Sequence, residues 1–312
     1  MKITIESCHA IRQAPNPKLA EQDWQECRIL SELFSDAYFA DNFVFTGGGT
    51  LTKSYHLSTR QGNDIDLACA DFTDIPDNRT KAALNNFRRR FKDYVFDVLK
   101  SKINYIINQD KRFMILSDRD WCALREPAKT FSNPSLHLLY KSMVQSDLGH
   151  LCIEFMPRRY APEFIELRSV TPYATGRAMG RIPTLTYAQT FWDKVYALNS
   201  MVQTNANTFR ETFSRHYYDL ANIAEMVDIP GTANLFQNTC AYQAKYTDKN
   251  IPALASVTDI QLIPNDDMIH QMGADYNTHI APRTRTPWAW MEIVHRIGKI
   301  NARIRELKQY GG

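Results

Sequence analysis

The stretch "FVFTGGGTLTKSYHLSTRQGNDIDLACAD", Phe43 to Asp71, constrains the fold more than any other part of the chain. A short apolar run stops at three consecutive glycines, Gly47, Gly48 and Gly49. After a polar stretch, Ile65, Leu67 and Cys69 alternate with Asp64, Asp66 and Ala68. That period of two is a strand's, with the apolar side chains on one face and both carboxylates on the other. The order is therefore strand, glycine turn, helix, strand. Two aspartates at i and i+2 share a side, about 6 to 7 Å apart at their base.

Each half of this segment has an ordinary explanation. A glycine run before a helix is usually a turn, and a lone Asp-x-Asp is usually a solvated strand edge or loop. Together, in this order, they favour chemistry. Glycines let backbone N–H groups approach a phosphate chain closely, and Thr50 adds a hydroxyl. A carboxylate pair offers the hard oxygen ligands that Mg²⁺ takes while it keeps positions open for substrate phosphates. A phosphate cradle beside such a pair suits phosphoryl or nucleotidyl transfer. A Walker P-loop is excluded, because GxxxxGK[ST] is absent from the sequence.

The rest of the chain supplies the frame. At 312 residues it can build one large domain or two ordinary ones. "NFVFTGGG", "DIDLACA", "RFMILSD", "LHLLYKSM" and "LCIEFMP" read as strands. "LAEQDWQECRILSELFSDAYFA" places Trp24, Cys27, Leu30, Leu33 and Phe34 on one helical side. "RTKAALNNFRRRFKDYVFDVLKSKINYII", "AQTFWDKVYALNSMV", "FSRHYYDLANIAEMV" and "WMEIVHRIGKINARIRELKQY" are also helical. The expected architecture is α+β: a catalytic domain of mixed sheet and helices over 1–183, then a mostly helical domain over 184–312. Six scattered cysteines without a CxxC pair suggest buried thiols in a reducing compartment. With no apolar run of membrane-spanning length and no signal-peptide pattern, the expected location is the cytoplasm. A net charge of +3 permits a nucleic-acid partner without requiring one.

The glycine and aspartate blocks resemble those of the AbiEii/AbiGii nucleotidyltransferase toxin family, roughly a strand, "GGTAL", a helix, then "R-x-S-x-D-x-D-L". Here they are "GGGTL" at Gly47 to Leu51 and "RQGNDIDL" at Arg60 to Leu67. Gly49 stands where the family usually has Thr, and Gly62 where it has Ser. The resemblance implies a nucleotidyltransferase fold, with Gly47, Gly48, Gly49, Thr50, Lys53 and Arg60 near the nucleotide. It also implies two Mg²⁺ ions on Asp64, Asp66 and a third strand carboxylate.

Later blocks fit the same pattern. Glu154 in "HLCIEFMPRR" sits on a strand, with Leu151, Ile153 and Phe155 on the opposite face. Read alone, it is an edge-strand Glu paired with Arg158 or Arg159. The resemblance makes it the third metal ligand, able to take the acceptor's proton. Lys194 in "TFWDKVYALNSMV" lies at the edge of an apolar stripe, where a lysine ordinarily snorkels. The family's "F-x-x-K-x-x-A-L" helix implies a triphosphate contact instead. Arg215 and Asp219 in "RHYYDLANI" form an i,i+4 pair worth about 0.2 to 0.5 kcal/mol. The family's "R-x-x-x-D-L" block places Asp219 near the nucleotide, with Arg215 as an orienting partner. His216 beside them reads as structural. Basic clusters at Arg88–Lys92, Arg158–Arg159, Arg168, Arg177, Arg181, Arg283 and Arg285 are solvated faces or parts of an RNA track.

The function expected from the resemblance is a toxin of a toxin–antitoxin pair that moves NMP from an NTP to an RNA hydroxyl, with the tRNA 3′ end as acceptor. Its partners would be the NTP, the RNA and a cognate antitoxin, without a membrane. Two alternatives stay open. One is a transferase or kinase acting on a protein or small-molecule hydroxyl. The other is a catalytically idle nucleotide-binding regulator.

Overall fold

The computed structural model describes residues 3–62, 64–72, 80–124, 133–203, 212–246 and 259–307, with the side chains of 244–246 left aside. Two compact units emerge: Met1–Tyr55 with Gln61–Leu185, and His56–Arg60 with Thr186–Gly312. The second unit thus takes in a five-residue piece that a linear division at 183 leaves with the first.

The first unit is built on a seven-stranded mixed sheet. Its strands are β1 (Phe43–Thr46), β2 (Asp64–Cys69), β3 (Phe113–Ser117), β4 (Ser135–Lys141), β5 (Leu148–Met156), β6 (Ile165–Ser169) and β7 (Arg181–Leu185), in the order β3-β4-β5-β2-β1-β7-β6. β2 runs antiparallel to β1 and parallel to β5. One face buries Ile65, Leu67, Leu136, Leu138, Leu151, Ile153 and Phe155 in the main core, together with Trp24, Leu30, Val95 and Ile103. The other face carries the alternate residues of β2, β4 and β5, including the carboxylates.

The helix Pro17–Leu33 starts where the Asn16 side chain accepts the Leu19 N–H at 3.1 Å and Pro17 occupies the first turn. It is enclosed all round from Ala20 to Leu30, so its acidic residues need partners. Glu21 accepts the Ser142 hydroxyl at 2.5 Å and the Met143 N–H at 2.7 Å. The long helical stretch after Thr80 runs as Lys81–Asp93, a π-helical turn Tyr94–Leu99 and Lys100–Ile107. Arg79, and residues 308–310 of the last expected helix, lie outside the described residues.

Strands β6 and β7 are absent from the sequence-based assignment. Pro183 explains much of this, since proline removes a ladder donor and argues against a strand. β7 pairs along its length with β6 but meets β1 only at Phe45↔Thr184.

The second unit is helical: Tyr187–Gln203, Arg215–Ile223, Asn234–Tyr246, Asp266–Asp275 and Trp290–Glu306. Its interior holds Phe191, Trp192, Val195, Leu198, Tyr217, Leu220, Ile293, Ile297 and Ile300. The segment His56–Arg60 joins it through a bridge from Arg60 to Thr284 and the Arg285 N–H donated to the Thr59 carbonyl at 3.3 Å.

Candidate active site

In the first unit, register assembles the carboxylates. Asp66 lies opposite Glu154 on the parallel neighbour β5 and opposite Thr46 on β1. Strand spacing sets Asp66 and Glu154 about 4.8 Å apart at the backbone, with side chains on the same face. Asp64, opposite Cys152, shares that face. All three carboxylate residues are half-buried. Asn133 donates its amide to Glu154 Oε1 at 2.6 Å and so orients it. No sequence signal marked Asn133, because its link to Glu154 depends on how β4 enters the sheet.

The glycine turn is fitted to Asp66. Gly47 has φ +73°, and a Cβ there would overlap Asp66 Oδ2. Both the backbone conformation and the close approach demand glycine. The helix Gly47–Lys53 follows directly. Gly48 and Gly49 lie in its first turn, where backbone N–H groups have no intrahelical acceptor.

Thr50 and Lys53, both expected near the nucleotide, have partners within the first unit. Thr50 is fully buried and donates its hydroxyl to the Gly47 carbonyl at 2.8 Å, so it braces the turn. Lys53 is 1% exposed, with Nζ 2.6 Å from Asp23 and 2.7 Å from Glu26. An ammonium enclosed by two carboxylates of the Pro17–Leu33 helix locks the glycine helix to the core. Burial pushes the Glu26 carboxyl up to about 7 against the attraction of Lys53.

The second unit contains its own charged group. Arg60 forks onto Asp219, Nε to Oδ1 at 2.9 Å and a terminal nitrogen to Oδ2 at 2.8 Å. Lys194 Nζ donates to the same Oδ2 at 2.8 Å. Asp219 is fully buried and the two cations nearly so. Burial opposes ionisation of Asp219, but Arg60 and Lys194 outweigh it and hold its carboxyl well below the usual carboxylate range. Burial, aided by Arg60 and Arg215, pushes the Lys194 ammonium below its ordinary value, and Asp219 opposes this. The partner expected for Asp219 was Arg215 on its own helix; the side chain is held instead by Arg60 and Lys194, from two other segments. The His216 imidazole is pushed well down by burial and then by Lys194 and Arg215, and its Nδ1 is enclosed without a hydrogen-bond partner.

The donor set on β2 and β5 has the chemistry Mg²⁺ takes, three hard carboxylates on one face. Among the described residues, no three such groups converge into a formed metal cluster.

An α+β sheet with two carboxylates on one strand, a third in register on its neighbour and a glycine turn against the first pair defines a nucleotidyltransferase-like fold. Residues 28–296 match the family described as nucleotidyl transferase AbiEii toxin, Type IV TA system, and the chain belongs to that family. It is accordingly a nucleotidyltransferase of a toxin–antitoxin system, with an NTP as substrate and an antitoxin as partner. The crystal structure of JHP933 from Helicobacter pylori is similar at 11% identity, over 93% of this chain and 94% of that one, with a TM-score of 0.48. No curated protein matches in sequence. Among the described residues no helix is long and apolar enough to cross a membrane.

Proposed function

We propose that the chain transfers NMP from an NTP to an RNA hydroxyl, with the 3′ end of tRNA as acceptor. The observation that carries this reading is the register of Asp66 with Glu154, beside a glycine turn that Asp66 touches. Asp64, Asp66 and Glu154 are the residues that would hold Mg²⁺, which when bound offsets charge on the phosphates and the attacking oxygen.

The chain's own groups divide the remaining work. The N–H groups of Gly47, Gly48 and Gly49 donate to phosphate oxygens. Glu154, kept oriented by Asn133, takes the proton of the acceptor hydroxyl. Lys194 has three N–H donors and gives one to Asp219, so the others suit a triphosphate. Asp219 and Arg60 thus position Lys194, with Arg215 adding positive field. An RNA acceptor is supported by exposed arginines on helix Lys81–Asp93 (Arg88, Arg89 and Arg90), which offer contacts to a phosphate backbone.

Incubation with α- and γ-labelled NTPs, total RNA and total protein tests the whole reading. Label from the α-phosphate on RNA is expected. Label from the γ-phosphate, or label confined to protein or a small molecule, identifies a kinase-like or other transferase. No label on any acceptor, with NTP still bound, identifies a regulator.

A further inference from the structure

On the carboxylate face of the sheet, two imidazoles and an indole form a stack that the roles above leave unused. His137 on β4 and His150 on β5 project to the same side as Cys152, and therefore as Asp64. His137 Nδ1 lies 3.0 Å from His150 Nε2, and His137 Nε2 lies 3.1 Å from Asp118 Oδ1. The other Asp118 oxygen accepts the Ser135 N–H at 2.8 Å. Asp118 and the two imidazoles thus form one hydrogen-bonded chain. The rings are locked edge to edge. Trp121 covers both, its centroid 4.7 Å from His137 at 8° and 4.3 Å from His150 at 6°. His137 is 2% exposed, whereas Trp121 and His150 are only half-buried.

Strand order says what this stack faces. The glycine turn ends β1, the carboxylates lie on β2 and β5, and the histidines lie on β5 and β4. The stack therefore flanks the carboxylates on the side away from the glycine turn. In phosphoryl and nucleotidyl transfer the attacking and leaving oxygens stand on opposite sides of the reacting phosphorus. With the triphosphate on the glycine side, the acceptor hydroxyl must approach over β5 and β4.

We propose that Trp121, His137 and His150 form the acceptor subsite, and that the half-buried rim of Trp121 and His150 receives the terminal nucleotide of the RNA. This rests on RNA being the acceptor, as proposed above. A wall whose rings are already ordered loses little freedom on binding. Stacking on it takes any base, since every base has a π-face. Asp118 and Ser135 act through His137 and are positioning residues.

The test is steady-state transfer by the full chain, varying RNA at saturating NTP and NTP at saturating RNA. Trp121→Leu and His150→Ala are each expected to raise the RNA KM about tenfold or more, the range of one lost base stack. The NTP KM should stay within about twofold of wild type, because the phosphates lie on the other side. Trp121→Phe, which keeps a ring, should restore most of the RNA affinity. If Trp121→Leu melts far below wild type, His150→Gln and the direct RNA dissociation constant without NTP decide the matter, again with a tenfold loss expected. An unchanged RNA KM in folded variants, or RNA and NTP KM values that rise together, would overturn the subsite. A wild-type chain that labels no RNA overturns the acceptor reading first and the subsite with it, and is recognised without any variant.

Discussion

Gly47 and Gly49 meet different neighbours, and the difference is testable. Gly47 combines a left-handed backbone with contact to Asp66, so Gly47→Ala should both destabilise the chain and displace a site carboxylate. Gly49 has an ordinary backbone, but a Cβ there would come within 2.9 Å of the Phe45 ring. Gly49→Ala is expected to cost about 1–3 kcal/mol by overpacking. Phe45→Leu in the same chain should return part of that, and thermal melts of the single and double variants check it. Asp64→Ala and Asp66→Ala should abolish transfer while leaving the fold intact, with a small gain in stability where like charges are relieved. Full activity in either variant with Mg²⁺ present would remove the pair from the site.

Two buried charged groups tie elements together, and they respond differently to perturbation. Lys53 joins the glycine helix to Asp23 and Glu26 on helix Pro17–Leu33. Because the folded Glu26 carboxyl is raised from 4.5 to about 7, it binds a proton more tightly than in the unfolded chain. Its contribution to stability is full below pH 4.5 and is lost as pH rises to about 7. Glu26→Gln should flatten the decline in melting temperature across that window; an unaltered pH profile would mean that Glu26 titrates normally. In the second unit, Asp219→Ala strands two buried cations and should cost about 3–5 kcal/mol. Lys194→Ala leaves the Arg60–Asp219 fork intact and should cost less, while it raises the NTP KM. A lower melting temperature with wild-type NTP kinetics would make Lys194 a packing residue only.

At the level of the whole molecule the question is how a chain with a net charge of only +3 would hold the RNA acceptor proposed for it. Its field is weak, so local clusters must act. Arg88, Arg89 and Arg90 project from the helix whose other side buries Leu84, Phe87 and Phe91. Arg159, Arg177 and Arg181 are exposed too, but Arg158 is buried, its guanidinium 4.2 Å from the Tyr160 ring centre, and drops out of such a track. Reversing the charge of Arg88, Arg89 and Arg90 should weaken RNA binding and flatten its salt dependence, because fewer counterions are released. NTP affinity should be untouched. Equal RNA affinity and salt slope in the variant would take this helix off the RNA path.

The linear sequence by itself determined the strand–turn–helix–strand order, the face shared by Asp64 and Asp66, most of the helices and the family. These are local properties, carried by a period of two, a period of 3.6 and contiguous motifs. Tertiary structure decided what depends on partners far apart in the chain. Glu154 comes opposite Asp66 only through parallel pairing across more than eighty residues, which β2 alone does not encode. Lys53 was legible as a cation near a phosphate turn, but burial beside Asp23 and Glu26 gives its charge to the core. The orienting role expected of Arg215 goes to Arg60, because a buried carboxylate is held by whichever cations the packing delivers, and helical spacing cannot name them. The Asp118–His137–His150–Trp121 stack had no sequence signal, since its members lie on the helix Asp118–Leu124, on β4 and on β5, and meet only when β4 and β5 pair.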